Sequence, residues 1–105
     1  YYDAYYNRAV ALRQAIRNEM TTVLAGLDAI MVPTTPTKPF TLGEKVDDPL
    51  AMYLSDILTV PANAAGLPAL SVPVLNQKNH AVGIQLIGSH FDEEKLFSIG
   101  RIIEV

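Results

Sequence analysis

Apolar residues recur along this chain with two different periods. From residue 2 to 27 the row Ala9, Leu12, Ile16, Met20, Val23, Leu27 advances in steps of three and four, and Arg8, Arg13, Arg17 and Glu19 avoid it. That spacing predicts an amphipathic helix, ended by Gly26 and Asp28. The run AIMV (29–32) is too short for a helix, is closed by Pro33, and suits a buried strand. Residues 33–45, PTTPTKPFTLGEK, hold three prolines and one glycine and predict an irregular loop. A loop leaving a strand end either lines a site or simply crosses the surface, and spacing alone leaves both open.

A second helix has a clear start, with Asp48 as N-cap and Pro49 in the first turn. Leu50, Tyr53, Leu54, Ile57 and Leu58 form one apolar stripe. Pro61 ends or kinks the helix near Thr59, and PANAAG (61–66) reads as a further short turn stopped by Gly66. ALSVPVL (69–75) and AVGIQLIG (81–88) are β-rich and flank a polar turn, which predicts a hairpin. Pro73 requires an edge or a bulge in the first of these strands. Asp92 is placed to cap a last helix carrying Leu96, Ile99, Ile102 and Ile103. The order helix, strand, helix, hairpin, helix predicts an α/β fold, with apolar strands covered by helices.

Composition narrows the function. Of 105 residues half are apolar and 18% charged, as in a globular chain. The net charge is −3 and no stretch clusters Lys or Arg, so nucleic-acid binding by this chain alone is not expected. With no cysteine there is no disulfide, thiolate metal site or cysteine nucleophile; a reducing compartment fits. No apolar run reaches the roughly 18 residues needed to cross a membrane, so no membrane partner is expected. The N-terminal YYDAYY has no signal-peptide character. Tyr1 opens within running helix and RIIEV stops in mid-pattern, so residues 1–105 are expected to form a single partial domain of a longer chain.

Self-sufficient chemistry is hard to find. The chain has no phosphate-loop pattern, no G-x-G-x-x-G and no G-x-S-x-G elbow. His80 and His90 lack ligand spacing and read as surface or capping residues, so no metal site is expected. Ser55, Ser71, Ser89 and Ser98 have no predictable base, and Ser71 falls in a strand expected to be buried. Asp56 remains. On periodicity it is a solvated acid on the polar side of the second helix. Yet Ala51, Met52, Ser55 and Thr59 around it are small or apolar, unlike a wet helix face. A lone acid in such company also suits a pocket for an ammonium group.

Four stretches then carry a resemblance: YYDAYY (1–6), DAIMVPTTPTKPF (28–40), DDPLAMYLSDILTVPANAAGLPALSVPV (47–74) and VGIQLIGSHFDE (82–93). Together they resemble the C-terminal part of the amidase signature enzymes. The strand–P-T-x-P pattern and the G-[IL]-Q-L-[IV]-G strand belong to the wider family. The block D-P-L-x-M-Y-x-x-D-x-x-T-x-P-x-N, complete here over 48–63, is similar to the A subunits of the glutamyl-tRNA(Gln) amidotransferases. One departure is NHAVGIQ, where the family often has a proline-bearing turn; it touches only a hairpin end.

The resemblance implies a partial three-layer α/β/α amidase-signature fold, with a mixed sheet and covering helices. It implies a glutaminase whose ammonia converts Glu-tRNA(Gln) to Gln-tRNA(Gln) in protein biosynthesis, within a cytoplasmic complex of A, B and C subunits. ATP and Mg would serve the B subunit, which also handles most of the tRNA; no cofactor is implied for this chain. The catalytic Ser-Ser-Lys set has no match, since Lys38, Lys45, Lys78 and Lys95 sit in loop or exposed contexts, so the chain alone is expected to be inactive. The block's aspartate, here Asp56, would bind the α-ammonium of glutamine, and Thr34, Thr35, Ser55 and Asn63 would line the pocket. The alternatives are another amidase signature hydrolase without an ammonium-binding acid, and a non-catalytic α/β interaction module.

Overall fold

The computed structural model describes residues 2–44 and 47–105, so Lys45 and Tyr1 lie outside the described residues. The first helical period produces α1 (Tyr2–Leu24), and the short apolar run produces β1 (Ile30–Pro33). The capped segment is α2 (Pro49–Leu54), followed by a second six-residue helix, α3 (Val60–Ala65). The predicted hairpin is β2 (Ala69–Leu75) and β3 (Ala81–Ile87), and α4 (Glu93–Ile103) closes the chain.

The three strands form one sheet in the order β1-β3-β2, with β3 antiparallel to both neighbours. Gln85 lies opposite Val32 on one side and Ser71 on the other. Pro73 faces Gly83 in the register, and its carbonyl accepts from Val105 N–H at 3.3 Å. The carbonyl and nitrogen of a strand residue point to the same side. Proline's missing donor therefore falls on the side of β2 away from β3, as an edge position requires.

Helices cover both faces, the three-layer arrangement expected. On one face Ile87 joins Leu24 of α1, Ala62 and Ala65 of α3, and Leu67 in a buried cluster, with Ile16, Met20, Ile30 and Val32 against it. On the other, Leu86 is fully buried and Leu96 nearly so. There α4 approaches so closely that a Cβ on Gly100 would lie 2.9 Å from Leu70 Cδ2 and 3.1 Å from Val72 Cγ1.

The expected stripes are only partly the buried ones. In α1 the inward residues are Ile16, Met20 and Leu24, while Leu12 and Val23 are exposed, as is Leu27 beyond the helix end. The second stripe is largely turned out, with Leu50 65% and Tyr53 75% exposed. Its half-buried residues are Ala51, Ser55, Leu58 and Thr59. Asp92 also departs from expectation: its side chain caps no N–H and instead lies 3.4 Å from Lys95 Nζ, an exposed pair of small energetic weight.

The result is a thin slab, 48 × 40 × 16 Å, with a radius of gyration of 16.1 Å. A compact domain of this length has about 13 Å. The accessible surface is 7943 Å², against roughly 5,800 Å² for a compact monomer of this mass.

Two outcomes are expected. Gly100→Val in the full-length protein should cost about 1–3 kcal/mol through overpacking, read from denaturant unfolding. The 105-residue chain on its own should self-associate through its exposed apolar surface, which sedimentation velocity would reveal as species above monomer.

Candidate functional site

The site is built on residues 48–66. Asp48 accepts the Ala51 N–H at 3.1 Å, and Pro49, which has no donor to satisfy, opens the helix. Pro61 stops its continuation, since it could not donate to the Ile57 carbonyl and its ring would strike that group. The backbone tightens after Leu54. Asp56 N–H bonds to the Tyr53 carbonyl at 3.2 Å, Ile57 N–H to Leu54 at 3.3 Å, and Thr59 N–H to Asp56 at 3.1 Å. The helix restarts as α3 with Pro61 in its first turn, and Gly66 ends it at φ 67°, the left-handed conformation glycine adopts without strain.

Asp56 sits on the tightened turn between the two short helices. Its side chain is exposed and makes no hydrogen bond or ion pair among the described residues. Its backbone is held: the Asp56 carbonyl accepts both the Thr59 N–H and the Thr59 Oγ1–H, the latter at 2.9 Å. Further along the turn, the Leu58 carbonyl accepts from Gln85 Nε2 at 2.9 Å.

The other sequence-predicted residues fall into two open clefts. Thr35 and Ser55 line one of about 410 Å³, together with Pro33, Phe40 and Gly83. Thr34 and Asn63 line another of about 400 Å³, with Thr59, Ser71 and Gln85. Asp56 lines neither. A wider groove of about 980 Å³ between the proline loop and the hairpin turn is bordered by Lys38, Lys78 and His80, and takes none of the predicted site residues.

Several side chains differ from expectation. Ser71 is exposed, and its hydroxyl meets that of Thr34 at 2.6 Å. Both hydroxyls lie over Gly83, where a Cβ would come within 2.8 Å of Thr34 Oγ1 and 2.9 Å of Ser71 Oγ, so a side chain there would displace the pair. His80 stands in the hairpin turn, as expected. His90 is half-buried rather than on the surface, and its Nε2 is buried without a partner among the described residues. Among the described residues no three His, Asp or Glu side chains gather as metal ligands.

Gln85 is the residue that sequence reasoning missed. It is 3% exposed on the central strand, yet polar. The available signal was a glutamine interrupting the apolar run AVGIQLIG, since a buried amide needs a hydrogen-bond partner.

The block over 48–63, the P-T-T-P loop, and the hairpin carrying G-I-Q-L-I-G thus converge on one side of the sheet. The Amidase family model matches residues 1–97, and the chain belongs to that family. Within it, the chain is 50% identical over 105 residues to the glutamyl-tRNA(Gln) amidotransferase A subunit of Bacillus thuringiensis (strain Al Hakam), and equally to that of Bacillus cereus (strain B4264). Each match covers 99% of this chain and 22% of the relative, so the chain spans about a fifth of their length. The crystal structure of the glutamyl-tRNA(Gln) amidotransferase A subunit from Thermotoga maritima superposes with a TM-score of 0.88 at 50% identity, over 98% of this chain and 23% of that one. A crystal structure of an amidase, 27% identical, superposes with a TM-score of 0.74 over 90% of this chain and 23% of its own.

The Thr34–Ser71 pair is directly testable. Replacing Thr34 by Val and Ser71 by Ala, singly and together, should reveal a coupling of about 0.5–1 kcal/mol in unfolding free energy.

Proposed function

We propose that this chain is part of the glutamine-hydrolysing A subunit of a tRNA-dependent amidotransferase, and that it supplies one side of the glutamine pocket. Residues 1–105 form a partial domain of that subunit. The ammonia released would be used to convert Glu-tRNA(Gln) to Gln-tRNA(Gln) in a cytoplasmic complex with the B and C subunits. ATP, Mg and most of the tRNA belong to the B subunit. The nucleophile and its lysine lie outside these 105 residues.

The observation that carries the reading is Asp56. Its backbone is held within the turn by Tyr53 and Thr59, while its carboxylate is left without a protein partner among the described residues. An acid held in this way suits a ligand that brings its own positive charge. The α-ammonium of glutamine would form a short, charge-assisted bond, strengthened when the remainder of the subunit excludes water. A substrate without that ammonium would leave the acid unpaired, which makes Asp56 a specificity element as well as an anchor. Thr34, Thr35, Ser55 and Asn63 contribute neutral hydrogen-bonding groups in the two adjoining clefts. The 50% identity to the A subunits, across nearly the whole chain, supports this reading over an amidase acting on uncharged amides.

In the full-length enzyme with its partner subunits, Asp56→Asn should raise the KM for glutamine about 30- to 700-fold, the loss of about 2–4 kcal/mol for one member of a desolvated charge pair. The melting temperature should stay close to that of the parent. Unchanged glutamine kinetics would remove Asp56 from the pocket and favour the other amidase reading.

A further inference from the structure

We infer that Gln85 is the positioning residue for Asp56: its amide on the central strand sets the turn that aims the carboxylate. The inference rests on Asp56 holding the substrate ammonium, as proposed above.

The argument follows one peptide unit. Gln85 Nε2 donates to the Leu58 carbonyl at 2.9 Å. The N–H on the other end of that same planar unit belongs to Thr59, and it donates to the Asp56 carbonyl at 3.1 Å. A planar peptide is rigid, so fixing one end fixes the direction of the other. The two bonds are in series, and each polarises the peptide in the sense that strengthens the other. Gln85 therefore controls the Asp56 backbone across one peptide group, without touching its side chain.

Little else ties this turn to the sheet. Among the described residues, the Gln85 bond is the one hydrogen bond between the sheet and residues 49–60. Apolar packing replaces it only in part, because Leu50, Tyr53, Leu54 and Ile57 are all exposed and Leu58 is the one half-buried residue of the stripe. Gln85 itself is firmly placed, opposite Val32 and Ser71 on the central strand and 3% exposed. A buried amide on the most constrained strand thus reaches the least constrained segment.

The test uses the full-length enzyme in its complex and two substrates, glutamine and glutaramate, which is glutamine without its α-amino group. Gln85→Met keeps the length and volume of the side chain and removes the donor. It should raise the glutamine KM about five- to tenfold with kcat changed less than twofold, and lower the preference for glutamine over glutaramate by the same five- to tenfold. Added to Asp56→Asn, it should cause no further loss of that preference. Should Gln85→Met fail to fold, Gln85→Asn is read in its place, since it keeps the amide polarity but is one methylene too short to hold the Leu58 carbonyl. If the variant depresses kcat/KM equally for both substrates, Gln85 is merely structural and the inference is overturned. If Asp56→Asn itself leaves the preference intact, the ammonium-binding reading fails first, and Gln85 has nothing to position. A loss of preference in the double variant well beyond that of Asp56→Asn alone would also overturn the inference, because it would show Gln85 acting by another route.

Discussion

Strand β3 is paired along both edges and packed on both faces, and the rest of the chain is arranged by that constraint. Over Ile84–Ile87 its backbone bonds are taken by both β1 and β2, Ile87 packs with α1 and α3 on one face, and Leu86 lies toward α4 on the other. A residue so enclosed must be apolar, absent, or fully hydrogen-bonded. Leu86 and Ile87 meet the first condition. Gly83 meets the second, leaving room for the Thr34 and Ser71 hydroxyls. Gln85 meets the third by reaching the Leu58 carbonyl.

The segment over 48–66 is the opposite case. It consists of two six-residue helices and a tight turn, with much of its apolar stripe exposed. Helices this short are not stable by themselves. Local devices hold each piece: the Asp48 cap, the two prolines and the Gly66 stop. The placement of the whole segment depends on α3 packing against α1 at one end and on Gln85 at the turn. The Asp56 carboxylate is thereby carried on a light segment that is tied to a rigid strand.

The large exposed surface fits the same picture. A slab one sheet and two helix layers thick has too little interior to cover Leu50, Tyr53, Phe97 and Ile102, all of them exposed here. The chain spans about a fifth of its curated relatives.

The sequence by itself determined the elements and their order. The 3.6-residue period, the Asp48–Pro49 start, the Gly66 stop and the two β-rich runs around NQKNH all act over a few residues and appear where the pattern puts them, whereas the second helix ends at Leu54, ahead of the break expected near Thr59, and Pro61 opens the first turn of α3. The complete D-P-L-x-M-Y-x-x-D block also made Asp56 legible as a candidate, through resemblance rather than periodicity. Only the tertiary structure decided which side of each helix turns inward. Most of the second stripe faces out while Leu58 and the small residues Ala51, Ser55 and Thr59 are half-buried, because the backbone tightens after Leu54 and rotates the later residues off the helical stripe. The tertiary structure also decided which distant groups meet: Thr34 with Ser71, 37 residues apart, and Gln85 with Leu58, 27 apart. Such pairs depend on strand register and on how the chain crosses the sheet, and neither is encoded within the span of a single helix or strand.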